Sequence, residues 1–232
     1  MIKSILPNVD QNLYCYDTGL TFGIDVGLEI LKQVDIDETY FPTRHNYNRG
    51  TDPKQLTRLI GATKTREIIR RQQQIAKTYP DQTPIDFRQY FFDEIFKQKM
   101  MQQVPDYLKL DQDNPNFMLQ VASTGDLLPA HKGHHRTCSL FMLLESDQQE
   151  THWYRNTQDF EVIDPLRIPD LDKIEHVVTA VMEPYKWYIF NHFEWHSVHK
   201  YSPGKRRISI GVDFFSIKAD QLLELIKKNA SV

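Results

Sequence analysis

Residues 207–215, Arg-Ile-Ser-Ile-Gly-Val-Asp-Phe-Phe, alternate polar and apolar side chains with the two-residue period of a β-strand. One predicted face carries Arg207, Ser209, Gly211 and Asp213, and the other carries Ile208, Ile210, Val212 and Phe214. The alternation predicts a strand that buries its apolar face in a core and presents an arginine and a serine on its opposite face.

The segments before this strand predict further short strands separated by turns. Residues 138–144 are apolar at every position, which is typical of a central strand covered on both faces. Other strands are predicted at residues 117–122, 151–154, 177–182 and 185–191. Short strands in this arrangement favour a mainly β fold with flanking helices (α+β), built on a jelly-roll or cupin-like core.

The first half of the chain has a different texture. Residues 54–78 and the aromatic-rich residues 85–102 place apolar side chains near helical spacing, so we expect helices that pack onto the sheet. Residues 219–229 predict a closing helix. We therefore expect one domain over residues 1–232, with a mostly helical buttress (1–114), a jelly-roll core (115–217) and a C-terminal helix (218–232).

Composition limits the possible functions. The 232 residues are 40% hydrophobic and 12% aromatic, enough for a real core, and the formal net charge of −3 does not suggest a nucleic-acid surface. No apolar run approaches the length needed to span a bilayer. Two cysteines, Cys15 and Cys138, form no disulfide framework, and Cys138 lies in an apolar run. We expect a cytoplasmic protein whose partner is a small-molecule or peptide substrate; the sequence does not predict an oligomeric state.

Two histidines fall where strands end. His131 follows the turn at residues 125–130, and His196 follows the strand that ends at Asn191. Neutral imidazoles suit Fe(II), and two of them with a carboxylate form a facial triad with open positions. The residue two places after His131 is Gly133, so the triad's carboxylate is missing. We interpret the other histidines singled out, His45, His152, His176, His192 and His199, as surface or packed residues.

A cationic anchor follows these histidines. Arg207 lies eleven residues after His196, and Ser209 shares its face, so a guanidinium and a hydroxyl would together bind the distal carboxylate of a dicarboxylate. Arg206 faces the other way. Arg136, five residues after His131, is a candidate for a second carboxylate of 2-oxoglutarate or of the substrate, or for an ion pair at the rim.

These motifs resemble a known family. Residues 125–215 look like the double-stranded β-helix core of the Fe(II)/2-oxoglutarate oxygenases, with residues 129–136 and 191–198 similar to the two metal motifs and residues 204–209 to the co-substrate motif. The resemblance implies that His131 and His196 bind Fe(II) and that Arg207 and Ser209 hold 2-oxoglutarate. It also implies that O₂ is the oxidant and that an unactivated C–H bond, in an amino acid or peptide side chain, is hydroxylated.

Gly133 leaves the third coordination position open to three interpretations. Water would fill it in a two-histidine hydroxylase. The glycine two residues after His131 resembles the pattern of the aspartyl/asparaginyl β-hydroxylase branch, which is built this way. Chloride would fill it in an iron-dependent aliphatic halogenase. His134 or His135 could replace the carboxylate. We favour hydroxylation because it needs no anion pocket. A jelly-roll protein that binds a metal or ligand without catalysis is the competing class.

Four more residues are candidates for the pocket wall because they lie on or at the end of strands that should neighbour the site. Thr151 and Gln120 are polar candidates, Trp153 favours aromatic packing, and Asn191 would either hydrogen-bond near the metal or cap the turn that follows it.

Overall fold

A computed structural model describes residues 1–36, 43–45, 54, 57, 61–81, 86–91, 94–109, 116–123, 127–133, 136–157, 171–200, 202 and 204–230. His134 and His135 lie outside the described residues.

Twelve strands and four α-helices have defined bounds in the described part of the chain. The strands are β1 (Ile2–Ser4), β2 (Cys15–Thr21), β3 (Thr43–His45), β4 (Asp86–Phe91), β5 (Asn116–Ser123), β6 (Leu128–His131), β7 (Cys138–Glu145), β8 (Glu150–Asn156), β9 (Ile174–Val181), β10 (Lys186–Asn191), β11 (Trp195–His199) and β12 (Arg206–Phe214). The helices are α1 (Ile24–Ile36), α2 (Ala62–Thr78), α3 (Glu94–Gln102) and α4 (Ala219–Ala230).

The strands form two antiparallel sheets whose order defines a jelly roll. One sheet has the order β1-β9-β8-β11-β6, and the other has the order β2-β10-β7-β12-β5-β4-β3. From β5 to β12 the chain crosses repeatedly between the sheets, so that β5, β7, β10 and β12 lie in the larger sheet and β6, β8, β9 and β11 in the smaller. This interleaving is the double-stranded β-helix arrangement, and the predicted mainly β fold is confirmed.

The β12 strand has the predicted division of faces. Its apolar residues, Ile208, Ile210, Val212 and Phe214, belong to a large buried cluster. That cluster also contains Ile30 of α1, Met100 of α3 and Leu222 of α4, so the helices cover the outer face of the larger sheet. Arg207 is buried on the opposite face and hydrogen-bonds Thr151 of β8 in the smaller sheet. This polar face therefore points into the space between the sheets.

The first half of the chain contains more strand than the sequence predicts. Residues 86–91 were expected to be helical, but they form β4 and pair with β5 from Asp86↔Ser123 to Phe91↔Met118. The helix expected over 85–102 begins only at Glu94. Aromatic residues favour strands as well as helix faces, and pairing with β5 supplies the main chain with hydrogen bonds along its length. The β1 and β2 strands, also unpredicted, pair with β9 and β10.

Three histidines stack on the outer face of the smaller sheet. The ring centre of His152 lies 4.3 Å from that of His176 and 4.4 Å from that of His199, with interplanar angles of 17° and 25°. Glu150 Oε2 lies 2.9 Å from His152 Nε2, and the ammonium of Lys200 pairs with the other Glu150 oxygen. We call His152, His176 and His199 the outer histidine stack; burial, followed by the His152 ring, lowers the pKa of both His176 and His199.

The helix-covered core predicts a large cost for deleting its central side chains. Ile210 is fully buried between the larger sheet and the helices. Ile210→Ala should lower the free energy of unfolding by about 2–5 kcal/mol, because it removes buried methyl groups and leaves a cavity. Urea denaturation measures this change. Ile24→Ala, at an exposed position, is the matched control and should change stability by no more than about 0.5 kcal/mol.

The outer histidine stack predicts acid lability. Burial, followed by the neighbouring His152 and His176, lowers the pKa of His199 to about 4. An unfolded histidine titrates near pH 6.5, so between about pH 6.5 and 4 the unfolded chain binds more protons. The stability contribution of His199 is therefore complete above about pH 6.5 and is lost as the pH falls toward 4.

Removing the titrating group tests this sign. His199→Gln should reduce the loss of unfolding free energy between pH 6.5 and 4 by on the order of 1–3 kcal/mol. Urea denaturation across this range measures the slope. If the variant and the unaltered protein lose stability in parallel, His199 is not responsible for the acid sensitivity.

Candidate metal centre

His131 and His196 face each other across two paired strands of the smaller sheet. His131 is the last residue of β6, His196 is the second residue of β11, and the two are direct partners in the register. Their ring centres are 4.3 Å apart with an interplanar angle of 55°. The sequence predicted these two histidines as a pair, and the fold brings them together although 64 residues lie between them in the chain.

Each imidazole is held in the tautomer that metal binding requires. His131 Nδ1 donates to the Pro129 carbonyl at 2.8 Å, and His196 Nδ1 donates to the Glu194 carbonyl at 2.9 Å. Because a carbonyl oxygen only accepts, Nδ1 carries the proton in both rings and Nε2 carries the lone pair. A backbone acceptor on the second nitrogen is the usual support of a metal-binding histidine.

The surroundings of His196 keep its ring neutral. The side chain is buried, and its edge contacts the ring of Phe190 from the opposite sheet with centres 4.9 Å apart. Burial, with the nearby His131 ring as a second cause, holds the pKa of His196 well below its usual range. A neutral, buried imidazole with a defined tautomer can donate its lone pair to Fe(II) without first losing a proton.

Gly133 is required by packing. A Cβ at this position would lie 2.7 Å from the Cβ of His192 and 3.0 Å from both Cγ and the carbonyl oxygen of Arg136. The Gly133 amide also donates to the His192 carbonyl at 2.7 Å, which ties the two segments together. The glycine that the sequence presented as a missing ligand therefore has a second physical cause, the close approach of His192.

His192 is the interior residue that the sequence analysis missed. It was interpreted as a surface or packed histidine; it is packed, as one of these alternatives stated, but its ring centre lies only 5.3 Å from that of His196, a proximity that was not predicted. Its ring stacks on Phe190, and its Nε2 lies 2.8 Å from Ser139 Oγ. Burial, followed by Arg136, lowers its pKa well below the usual range. The sequence did contain a signal for His192, because this histidine directly follows a predicted strand, much as His131 lies at the end of one.

The predicted co-substrate residues lie on the polar face of β12. Arg207 is 4% exposed, donates from Nη2 to Thr151 Oγ1 at 3.2 Å, and holds its guanidinium carbon 5.7 Å from the Phe141 ring centre. Ser209 is also buried, and its hydroxyl lies 3.4 Å from Gln120 Oε1. The structure therefore places Thr151 and Gln120 beside the predicted anchor.

Register relates this anchor to the histidines. Trp153 is the direct partner of His196, and Thr151 lies two residues before Trp153 on the same strand. Two residues span about 7 Å along a strand. Thr151, which Arg207 contacts, therefore lies about 7 Å along β8 from Trp153, the strand partner of His196. Arg206, by contrast, forms an ion pair with Glu145 at 2.8 Å, as expected for the opposite face.

Arg136 forms a buried ion pair. Its Nη1 lies 3.0 Å from Oδ1 and 3.2 Å from Oδ2 of Asp213, whose side chain is almost fully buried. Of the two roles expected for Arg136, the structure places it in an ion pair, with an aspartate on the same face as Arg207 and Ser209. Its proposed contact with 2-oxoglutarate remains a prediction.

The last two candidates, Trp153 and Asn191, have structural contacts. Trp153 is fully buried, packs against Phe190 with ring centres 4.8 Å apart, and donates from Nε1 to the Asn191 carbonyl. Asn191 donates to the Leu13 carbonyl and accepts from the Phe193 amide, so it caps the turn. Aromatic packing for the first and capping for the second were among the expected roles.

The described residues hold no set of three or more His, Cys, Asp or Glu side chains in the arrangement of a metal site. A metal held by His131 and His196 would therefore take its remaining ligands from groups other than the His, Cys, Asp and Glu side chains of the described residues. No helix in the described part of the chain is both long and apolar enough to cross a bilayer.

Comparisons with known proteins add little beyond the fold. No protein-family model and no curated protein matches the chain. A prolyl-4-hydroxylase from Pseudomonas putida superposes with a TM-score of 0.33 at 11% identity, over 82% of this chain and 98% of the hydroxylase. Vicilin from hazelnut, Corylus avellana, gives 0.33 at 9% identity, over 70% of this chain and 45% of the vicilin chain. At these scores neither likeness carries an argument about function.

The packing at Gly133 generates a direct prediction. Gly133→Ala should lower the free energy of unfolding by about 1–3 kcal/mol, because the added methyl group must displace the His192 and Arg136 side chains. Thermal or urea denaturation of the metal-free protein measures the change. Gly211→Ala is the matched control, since a Cβ there would meet no atom closer than 3.5 Å. Equal stability of both variants and the unaltered protein would contradict the assigned contact.

Proposed function

We propose that this chain is an Fe(II)- and 2-oxoglutarate-dependent oxygenase that hydroxylates an unactivated C–H bond of an amino acid or peptide side chain. The observation that carries the proposal is the pair formed by His131 and His196. Both rings have Nδ1 bound to a backbone carbonyl and the lone pair on Nε2, and His196 shares the barrel interior with Arg207 and Ser209.

His131 and His196 would hold the metal. Bound Fe(II) would supply the activation of O₂, coupled to decarboxylation of 2-oxoglutarate to succinate and CO₂. The protein's part is to fix the tautomer and orientation of both imidazoles. The carbonyls of Pro129 and Glu194 do this by accepting from Nδ1, so little ordering remains to be done when the metal binds.

Arg207 would bind the distal carboxylate of 2-oxoglutarate. Its guanidinium is buried, always charged, and already oriented by Thr151 and the Phe141 ring. Ser209 would add a hydroxyl donor from the same face of the strand. Charge-assisted hydrogen bonds in a buried setting are strong and directional, which suits an anchor that sets how far the co-substrate reaches toward the metal.

The Arg136–Asp213 pair would shape the electrostatics of the same interior. Asp213 pairs with Arg136, so the polar face of the strand carries both this ion pair and the guanidinium of Arg207. Breaking an ion pair as deeply placed as this one is destabilising, because the Asp213 side chain is almost fully buried. We assign this pair a supporting role in binding an anionic co-substrate.

The packing of Gly133 supports hydroxylation over halogenation. In a halogenase a small residue leaves room for chloride beside its Cα. Here that space on the Cβ side of Gly133 is filled by His192 and Arg136. The glycine thus has a cause other than a halide pocket, and we propose an oxygen ligand, water or co-substrate, at the third coordination position.

The experiment is 2-oxoglutarate turnover with Fe(II) and ascorbate, followed as succinate release. Arg207→Lys should raise the KM for 2-oxoglutarate about 10- to 100-fold, because a bidentate charged contact is lost. Ser209→Ala should raise it by a smaller factor and tests the anchor if the first variant folds poorly. Arg206→Lys, on the outer face of the same strand, is the matched control and should leave KM unchanged.

The competing class predicts a different outcome. A jelly-roll protein that binds a metal or ligand without catalysis would release no succinate with any amino-acid or peptide substrate offered, whether or not it binds iron. Turnover that depends equally on Arg206 and Arg207 would contradict the assignment of the anchor to the inner face.

A further inference from the structure

His192 contains a buried polar atom that no group in the described residues satisfies. The side chain is 2% exposed, and Nδ1 has no hydrogen-bond partner, whereas Nε2 contacts Ser139 Oγ at 2.8 Å. Leaving a buried donor or acceptor unsatisfied costs about 1–3 kcal/mol. The contact with Ser139 accounts for Nε2 but not for Nδ1, so a group that would satisfy Nδ1 is sought.

The position of His192 relates it to the third coordination position. Its Cβ lies 2.7 Å from where the Cβ of a residue 133 side chain would begin, so its ring extends from the place where a triad carboxylate would start. Of the two ring nitrogens, Nδ1 is the one nearer to the Cβ of His192, and Nε2 is taken up by Ser139. The ring centre is also 5.3 Å from that of His196.

The contact between Ser139 Oγ and His192 Nε2 is compatible with a proton on Nδ1. A serine hydroxyl can donate to Nε2, and in that tautomer Nδ1 carries the proton and becomes a donor. A donor at this place would match an oxygen ligand on a metal held by His131 and His196. It would not match direct coordination, which agrees with the absence of a three-residue donor set among the described residues.

We propose that His192 is a positioning residue of the metal centre, whose Nδ1–H donates to the oxygen ligand that takes the coordination position a carboxylate at residue 133 would have taken. The inference rests on the proposed metal site and deepens it. Hydrogen bonds of this kind fix the orientation of a bound ligand and typically change metal affinity 10- to 100-fold. His192, rather than His134 or His135, thereby takes over part of the missing carboxylate's role.

Paired amide variants test the proposal through metal affinity. The amide nitrogen of asparagine lies close to where Nδ1 lies, and that of glutamine lies close to Nε2. With Co(II) as the probe in anaerobic calorimetric titrations, His192→Gln and His192→Phe should bind about 10- to 100-fold more weakly than the unaltered protein. His192→Asn should recover most of the affinity. His176→Phe, in the outer histidine stack, is the control and should bind normally.

The number of bound imidazoles provides a second, independent measurement. X-ray absorption of the Co(II)-loaded protein should give two imidazoles in both the unaltered protein and His192→Asn. Three imidazoles in the unaltered protein, or equal affinity of the Asn, Gln and Phe variants, would overturn the proposal. If the unaltered protein binds no Co(II) or Fe(II), the proposed function itself fails. If the unaltered protein binds the metal but the Asn, Gln and Phe variants of His192 all have equal affinity, the metal site stands and only the role of His192 is wrong.

Thermal unfolding of the metal-free variants separates this role from a structural one. His192→Phe combined with Ser139→Ala should unfold at the same temperature as the unaltered protein or higher, since the two changes remove the unsatisfied Nδ1 together with the Ser139–His192 hydrogen bond, leaving neither partner unpaired. If a variant is less stable than the unaltered protein in the metal-free state and also binds Co(II) more weakly, the weaker binding follows from damage to the core. That outcome would contradict the proposal.

Discussion

The alternation of side chains along β12 is the constraint on which the rest of the structure depends. The strand lies in the larger sheet between β5 and β7 and is buried along nearly its whole length, so both of its faces must be satisfied by other elements. Its apolar face joins the core beneath the helices, and its polar face carries Arg207, Ser209 and Asp213 into the barrel. A shift of one residue would exchange these faces, placing an arginine in the core and isoleucines in the interior. Fold and candidate site are therefore specified by one register.

Several polar groups of the barrel interior satisfy one another. Asp213 pairs with Arg136, Ser139 contacts His192, and Thr151 accepts from Arg207. Buried imidazoles stay neutral, so the interior's charge comes mainly from its arginines and one aspartate. An interior of this kind is costly for a purely structural barrel, which would be more stable with apolar side chains. The proposed binding of an anionic co-substrate near a divalent metal would account for both the charge and its burial.

Much of this architecture could be predicted from the sequence because strand alternation reports burial directly. The jelly-roll core, the inward orientation of Arg207, the outward orientation of Arg206 and the aromatic packing of Trp153 all follow from a period of two residues. Local periodicity fails where pairing with a distant strand decides the conformation. Residues 86–91 have a helix-compatible aromatic spacing, yet they form β4 because β5 offers main-chain partners. The role of Gly133 could not be predicted, since its cause is an approach of His192 from a segment nearly sixty residues away.

The central claim is that His131 and His196 hold Fe(II) in the same interior in which Arg207 anchors 2-oxoglutarate. Anaerobic addition of 2-oxoglutarate to the Fe(II)-loaded protein tests it most directly, because chelation of the iron by the 2-oxo acid produces a visible charge-transfer absorption. The account predicts this absorption in the unaltered protein, its loss in His131→Ala and in His196→Ala, and its retention in His152→Ala on the outer face. Absorption that survives both inner substitutions, or that never forms in the folded unaltered protein, would contradict the account.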